Sequence, residues 1–330
     1  MMEFKQKENE FIVEDKIGLY NTDCVELAKE MPDNSIDFSI YSPPFADMFV
    51  YSDNIRDMGN CKSYDDFFVQ YEFLIKEMYR VIRPGRLVAI HCIDMPLFKG
   101  KDGRSGLRDF QGDIIRAHEK YGFTFHSRVT IWKDPVIEVT RTKAHGLLYA
   151  TTLKDSANSR QGVADYLVVM GKKAENTDKD YVPIHHPKDT FYDYAGSSKI
   201  PAPYDYKDQK QYERLSSINI WQRYASPVWF DIRQTCTLNT KVAKSDKDGK
   251  HICPLQLDVI TRSLQLWTND GDTVFSPFNG IGSEGYCSIK MNRKYIGAEL
   301  KKEYFDVSID NLKSAMSDNI NLFTYDNNDE

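Results

Sequence analysis

Four consecutive residues, Ser42-Pro43-Pro44-Phe45, carry the most specific chemistry in the chain. They follow the apolar run Ser35-Ile36-Asp37-Phe38-Ser39-Ile40-Tyr41, whose β-branched and aromatic residues after the turn signal Pro32-Asp33-Asn34 predict a buried strand. Two successive prolines forbid helix and ladder pairing alike, and hold the backbone in an extended bend with unclaimed carbonyls. A hydroxyl, a carbonyl and an aromatic face are thus fixed together at the carboxyl end of a strand, where open α/β sheets place ligands. The set suits a planar base with an exocyclic amine: oxygens accept its N–H groups while the ring stacks on Phe45. An ordinary strand exit closed by a Pro-Pro stop is the plain alternative.

A second candidate lies near the other end, at Gly280-x-Gly282-x-x-Gly285 between a predicted strand and helix. Glycines there let a backbone approach a ligand and open the helix N-terminus toward it. Glu299, at the end of the next predicted strand, can accept hydrogen bonds from two ribose hydroxyls. A dinucleotide dehydrogenase is the rival for this pattern. Against it, Ser276-Pro277-Phe278 is unlike the small-residue turn of dinucleotide folds, and the stretch after Glu299 is too short for a second nucleotide half and a catalytic domain.

The elements that must position these groups read as follows. Residues 1–16 are polar and predict an arm. Strands are expected at Ile17–Asn21, Ser35–Phe45, Leu87–His91, Phe123–Trp132, Ala164–Met170, Thr273–Phe275 and Lys294–Glu299. Helices are expected from Thr22 or Asp23 to about Met31, at Tyr64–Ile82 with a stop at Pro84-Gly85, at Asp109–Tyr121, Pro254–Trp267, from the glycines to about Met291, and at Lys301–Met316. Residues 46–63 form a polar loop with Met48, Phe49, Tyr51 and Met58, suited to a flap over a flat substrate. Seven strands interleaved with helices predict an α/β fold with a doubly wound sheet. The break between residues 133 and 250 is the place for a substrate-reading insertion.

At 330 residues the chain can hold one large α/β domain plus an insertion, or two modest domains. Hydrophobic content of 41% with 28% charged residues is that of a soluble globular protein. Nothing approaches a membrane span, and Met1 to Glu14 lacks the plan of a signal peptide. The six cysteines are scattered without C-x-x-C pairs and are expected to be reduced, as in a cytosol. A net charge of −6 argues against a nonspecific nucleic-acid coat but leaves room for a basic groove. His185-His186 and the His251/Cys253 pair lack ligand spacing, so no metal is expected.

Taken together, these segments resemble the DNA amino-methyltransferases that use S-adenosylmethionine, in the permuted β-group arrangement. That family places a D/N/S-P-P-F/Y/W site first, then a target-recognition region, then the cofactor glycines. Ser42-Pro43-Pro44-Phe45 matches the first, and Ser276-Pro277-Phe278-Asn279-Gly280-Ile281-Gly282-Ser283 is similar to the family's D-P-F-x-G-x-G-T. Tyr295-Ile296-Gly297-Ala298-Glu299 with Tyr304 resembles its ribose-binding I-G-x-E and following Y. Asn21-Thr22-Asp23-Cys24 with Met31 to Asp37 resembles its G-D-C and L-P-D-x-S-I-D. Arg83-Pro84-Gly85-Arg86-Leu87-Val88 is similar to R-P-G-G-x-L-V, Trp132-Lys133 to its late W-K, and Cys253-Pro254-Leu255-Gln256-Leu257 stands where the family has K-P-x-x-L. Departures are Ser276 for the usual Asp, Asn21 for Gly, and no Lys before Pro254.

The resemblance implies a mostly parallel, seven-stranded methyltransferase sheet. Residues 1–132 would form the catalytic half, 133–163 a basic loop insertion, 164–172 the last strand of that half, 173–250 the target-recognition region, 251–316 the S-adenosylmethionine-binding half and 317–330 a flexible tail. It implies methyl transfer from S-adenosylmethionine to an exocyclic amine of a flipped base. The Ser42 hydroxyl and Pro43 carbonyl would accept the amine's hydrogens, Pro44 would rigidify the bend, and Phe45 would stack on the base. Ser before Pro-Pro leans toward cytosine N4, with adenine N6 beside it. No general base stands out, and the proton can leave to water after transfer.

For the cofactor, Glu299 would hold the ribose and Asp23 the adenine amine, unless Asp23 is only a helix cap and Glu299 a surface carboxylate. Ser276, Pro277, Phe278, Gly280, Gly282 and Ser283 would line the methionine end. Arg141, Lys143, Lys154 and Arg160 could hold phosphates, and Asn158 and Gln161 could read base edges, with a solvated charged surface as the alternative. The implied partner is double-stranded DNA; a homodimer is allowed and a partner nuclease is left open. The implied location is the cytoplasm, nucleoid-associated, of a prokaryote or phage-infected cell. Methylation of RNA or of a protein amide on the same fold, or a catalytically idle DNA-binding module, stand as alternatives.

Overall fold

The structure, a computed structural model, describes residues 4–45, 54, 56–97, 99–136, 153–155, 162–175, 178–185, 223–238 and 254–325. The first part of the chain forms β1 (Phe4–Lys7), β2 (Glu10–Val13), β3 (Ile17–Tyr20), α1 (Cys24–Glu30), β4 (Ile36–Tyr41), α2 (Tyr64–Val81) and β5 (Ile82–Ile93). Then follow β6 (Met95–Leu97), α3 (Lys99–Asp102), β7 (Gly106–Arg108), α4 (Phe110–Lys120), β8 (Thr124–Ile131), β9 (Asp165–Gly171) and β10 (Val228–Trp229). The last part forms α5 (Leu257–Trp267), β11 (Thr273–Ser276), α6 (Ser283–Lys290), β12 (Lys294–Ala298) and α7 (Lys302–Tyr325).

Side chains set the helix starts. Asp23 caps α1 by accepting from the Val25 and Glu26 N–H groups, Ser63 caps α2 at Asp66, and Asp109 caps α4 at Gly112. In α2 the residues Phe67, Tyr71, Leu74, Ile75 and Met78 recur at helical spacing and are all buried.

Among the described residues the main sheet runs β1-β2-β3-β12-β11-β4-β5-β9-β8-β10. The seven strands expected from the sequence form its inner part, β3 through β8. The sheet is doubly wound: β3, β12, β11, β4 and β5 pair in parallel, while β9 runs antiparallel between β5 and β8. One face carries α5, α6 and α7 against Phe38, Ile40, Leu87, Ala89, Leu167 and Val169. The other carries α1, α2 and α4 against Ile36, Tyr41, Val88, Ile90 and Cys92. Alternating residues of β5 thus serve opposite layers, as the period of a strand buried on both faces requires.

Three expectations need correction. Residues 4–13 are not an arm but an antiparallel hairpin added to the sheet edge, because Phe11 and Val13 alternate inward and are 0% and 3% exposed. Among the described residues the sheet therefore has ten strands rather than seven, with β10 beside β8. The flexible tail placed from residue 317 is helical as far as Tyr325, since α7 continues past Met316. Within the expected flap, Met58 is buried against the α2 layer; Met48, Phe49 and Tyr51 lie outside the described residues.

At the amino-terminal ends of the strands, Arg86 is fully buried. Its guanidinium donates to both oxygens of Asp272 at 2.8 and 3.4 Å and lies 3.6 Å from Asp37. Asp37 also accepts from the Thr273 N–H at 2.8 Å. This cluster fastens β4 and β5 to the entry of β11. Burial lifts the Asp272 carboxyl above its ordinary range, Asp37 adds to the rise, and Arg86 opposes it. Arg86→Met should leave two buried carboxylates facing each other and cost about 3–5 kcal/mol of stability. Urea unfolding checks this: the loss should grow as pH rises and the carboxylates ionise, and an unchanged midpoint would remove the cluster from its fastening role.

Candidate active site

Strand order brings the two sequence-predicted sites together. β4 and β11 are parallel neighbours, with Val274 opposite Phe38 and Phe275 opposite Ser39. Their carboxyl ends therefore open side by side, one into Ser42-Pro43-Pro44-Phe45 and the other into Pro277-Phe278 and the glycine turn. Tyr41 and Phe278, the residues flanking the two turns, approach to 5.7 Å between ring centroids.

Within the double-proline bend, Pro43 is buried and Ser42, Pro44 and Phe45 are partly buried. The Phe45 ring meets Phe110 edge-on at 6.2 Å, and Phe110 is in turn surrounded by Tyr64, Phe67 and Phe68 from α2. These rings fix the plane on which a flat group can stack. The Ser42 hydroxyl lies 3.1 Å from His91 Nδ1 and 3.2 Å from the His91 carbonyl, on the adjacent strand β5. His91 Nε2 is 2.9 Å from Asp165 Oδ2, and that same oxygen accepts from Lys133 Nζ at 2.6 Å.

The glycine turn is built for close approach. Gly280 and Gly282 have φ of +53° and +87°, a region in which a side chain is strained, and Gly282 opens α6 as its N-cap. A Cβ at Gly280 would meet nothing within 4 Å, so the turn leaves room beside its backbone. Ser283 Oγ is buried with no hydrogen-bond partner. Ser276 Oγ is also buried, and the nearby Tyr295 hydroxyl donates to Asn279 Oδ1 at 2.7 Å. Glu284, in the first turn of α6, is pushed up to about 8 by burial.

The Glu299 carboxylate reaches back over this turn. Its Oε2 accepts from the Gly280 N–H at 2.7 Å and its Oε1 from Lys301 N–H at 2.9 Å. Desolvation still pushes it up to about 7. Asn21, standing where the resemblance led one to expect glycine, donates to the Glu299 and Leu300 carbonyls and so ties the end of β3 to the end of β12. Asp23 lies just beyond β3 with Oδ1 engaged as the α1 cap.

Ser42, Pro43, Pro44, Phe45, Asp23, Ser276, Pro277, Phe278, Gly280, Gly282, Ser283 and Glu299 are thus all gathered at the carboxyl ends of β3, β12, β11 and β4. Lys154 is exposed in the separate segment 153–155. Arg141, Lys143, Asn158, Arg160 and Gln161 lie outside the described residues. The last part of the expected recognition region, residues 223–238, packs on the sheet: Trp229 is fully buried, and Asp231 binds Arg223 and Arg262.

Sequence reading missed the partners of Ser42. His91 lies near the end of β5, Asp165 opens β9 and Lys133 lies just beyond β8. Each has the same parity as neighbours facing α5–α7: Leu87 and Ala89, Leu167 and Val169, Val129 and Ile131. Extending that alternation to the strand ends would have placed all three on one face with Ser42, which follows Phe38 and Ile40.

The family model described as DNA methylase matches residues 36–310. Two relatives come from Bacillus amyloliquefaciens. The Type II methyltransferase M.BamHI is 23% identical over 288 residues, 86% of this chain, which spans about half (54%) of that relative. The orphan methyltransferase M.BamHII is 22% identical over 288 residues, 87% of this chain and 92% of the relative. The fold is shared with the PvuII DNA methyltransferase (cytosine-N4-specific), with a TM-score of 0.59 at 13% identity over 92% of this chain and 90% of that one. It is likewise shared with a DNA modification methylase from Thermus thermophilus complexed with S-adenosyl-L-methionine, with a TM-score of 0.58 at 18% identity over 90% and 93%. Since the matched span runs from the double-proline strand through the glycine turn into α7, this chain belongs to the DNA amino-methyltransferase family.

Proposed function

We propose that this protein transfers a methyl group from S-adenosylmethionine to the exocyclic amine of a base flipped out of double-stranded DNA, at a specific sequence, with cytosine N4 as the amine. The observation that carries the reading is the parallel pairing of β4 with β11, which sets the amine-binding bend and the glycine turn on neighbouring strand ends. Ser42, rather than a carboxylate, before Pro-Pro supports cytosine.

The turn fits the methyl donor. Ser283 Oγ at the N-terminus of α6 is a buried hydroxyl with no partner, and the space beside Gly280 admits a ligand against the backbone. Glu299 would take the ribose hydroxyls on lone pairs not used by Gly280 and Lys301, Asp23 the adenine amine, and Ser276, Pro277, Phe278 and Gly282 the methionine end. When bound, the cofactor supplies a sulfonium-activated methyl group.

The chain's own residues do the rest. Extruding the base costs roughly a few kcal/mol, which stacking on Phe45, worth roughly 1–3 kcal/mol, helps offset. Ser42 Oγ and the Pro43 carbonyl accept the amine hydrogens and draw the nitrogen lone pair out of conjugation with the ring. The bend, buried at Pro43 and backed by the Phe110 cluster, aims that lone pair toward the glycine turn. Arg141, Lys143, Lys154 and Arg160 would hold phosphates, and Asn158 and Gln161 within 133–163, with residues 173–250, would read the target. The relatives are named Type II and orphan methyltransferases of a bacterium, and a bacterial cytoplasmic setting is proposed here.

Tritium from methyl-labelled S-adenosylmethionine, followed into duplex DNA, RNA and protein with digestion to nucleosides, tests the reaction. N4-methylcytosine in duplex DNA is expected. N6-methyladenine would replace the base assignment, and label confined to RNA or protein would overturn the substrate class. Phe45→Ala should lower turnover by roughly one to two orders of magnitude with cofactor affinity within about twofold; equal losses in both would contradict its stacking role. Because Glu299 sits at about 7, its ionised, twofold-accepting form grows in as pH rises through that value. Calorimetric cofactor affinity should then strengthen roughly tenfold from pH 6 to 8, and Glu299→Gln should flatten the dependence. A wild-type affinity independent of pH would show that Glu299 does not hold the ribose.

A further inference from the structure

Ser42 is not isolated at the strand end but heads a row of four polar side chains on one face of the sheet. Ser42 Oγ reaches His91 Nδ1 at 3.1 Å, His91 Nε2 reaches Asp165 Oδ2 at 2.9 Å, and Lys133 Nζ reaches the same oxygen at 2.6 Å. The last three are buried, at 8%, 0% and 8% exposure, on the sheet face that also carries Leu87, Ala89, Leu167 and Val169. Burying an ammonium, a carboxylate and an imidazole together is costly unless their geometry is used. Asp165 Oδ1 is moreover left without a hydrogen-bond partner.

β5, β9 and β8 are already joined by backbone pairing along their lengths. Lys133 and Asp165 are not tied to the Arg86 cluster that fastens the opposite ends of the strands.

We propose that His91, oriented by Asp165 and Lys133, is a positioning residue that acts through Ser42 and takes up the proton released by the methylated amine. This rests on the methylation reading above. With its Nε2–H donated to Asp165, His91 presents an Nδ1 lone pair to the serine hydroxyl. Both acceptors near that hydroxyl, Nδ1 and the backbone carbonyl at 3.2 Å, belong to residue 91. The hydroxyl proton is therefore directed toward β5, and the oxygen lone pairs are left for the amine.

The step balances as follows. The N–CH3 bond forms as the S–CH3 bond of the sulfonium donor breaks, its electron pair staying on the now neutral sulfur. The amine nitrogen becomes positive and passes one hydrogen to Ser42 Oγ, whose own proton moves to His91 Nδ1. The resulting imidazolium lies beside the Asp165 carboxylate. Burial would raise Asp165, but His91 and Lys133 outweigh it and hold the carboxyl below its usual range, so the charge needed opposite the imidazolium is in place.

Among the described residues, the charged groups facing His91 are Asp165 from β9 and Lys133 beyond β8, with the Ser42 hydroxyl beyond β4. On α5, which packs over β4 and β5, Asp258 is bound to Arg233 and Arg262 to Asp231. Asp94, just beyond the end of β5, has the opposite parity and pairs with Gln111.

Single-turnover methyl transfer to unmethylated duplex DNA, measured from pH 5 to 9 on the full-length chain, tests the relay. Wild-type rates should fall on the acid side as the imidazole takes up a proton before reaction. His91→Asn should bind cofactor within about twofold of wild type, react roughly 10²- to 10³-fold more slowly, lose the acid limb, and regain part of its rate with added imidazole. Lys133→Met, which keeps the His91–Asp165 pair, should move the acid limb to higher pH. An acid limb retained in His91→Asn, or unmoved in Lys133→Met, would overturn the relay while leaving methylation standing. Cofactor binding without any transfer to DNA in the wild type would instead overturn the methylation reading on which it rests.

Discussion

The parallel pairing of β4 with β11 is the constraint on which the rest of the molecule depends. These strands are separated by more than 230 residues of sequence, yet Ser39 donates to the Phe275 carbonyl and Asp37 accepts from the Thr273 N–H. Parallel neighbours end at the same edge. Whatever follows Tyr41 therefore opens beside whatever follows Ser276, and a rigid bend after the one meets a glycine turn after the other. The permuted order of the two halves has no structural consequence at this edge, because adjacency is set by the ladder and not by chain order.

Buried charge is used differently at the two ends of the same strands. At the amino ends, the buried Arg86 is shared between Asp272 and Asp37, and its role is to hold strands together. At the carboxyl ends, Asp165 is shared between His91 and Lys133 and keeps one oxygen without a partner. The first cluster joins strands that must not slip. The second points along a row toward the Ser42 hydroxyl. Glu284 and Glu299 add a third pattern, two carboxyls raised by desolvation around a turn that has room for a ligand.

Much of this was legible in the sequence where local signals were strong. The inner seven strands are apolar runs between turn residues, and Asp23, Ser63 and Asp109 stand directly before the helices they cap. The glycine spacing after Thr273–Ser276 located the turn, and Glu299 was placed at the end of the next strand, directly after Ala298 of β12; its contact with Gly280 was not foreseen. The hairpin of residues 4–13 was missed because its inward pair, Phe11 and Val13, is short and set among charged residues; only the neighbouring strand β3 makes it worth forming. The run of α7 to Tyr325 was missed because Asn and Asp after Ser317 weaken helix propensity, which an established helix can override. His91, Asp165 and Lys133 were passed over because their meaning is collective. His91 lies 49 residues from Ser42 and 74 from Asp165 along the chain, and only the strand order brings them to one face.

The central claim is that the amine site and the methyl-donor site share one sheet edge closely enough for direct transfer. A crystal structure of the protein with S-adenosylhomocysteine and a duplex carrying its target site measures this most directly, as the distance from the thioether sulfur to the flipped base's exocyclic nitrogen. A separation of about 3–5 Å, with the base on Phe45 and its amine at Ser42 and Pro43, is expected for two atoms that exchange a methyl group in line. A sulfur lying more than about 10 Å from the double-proline bend, or a base held away from it, would contradict direct transfer between the two sites.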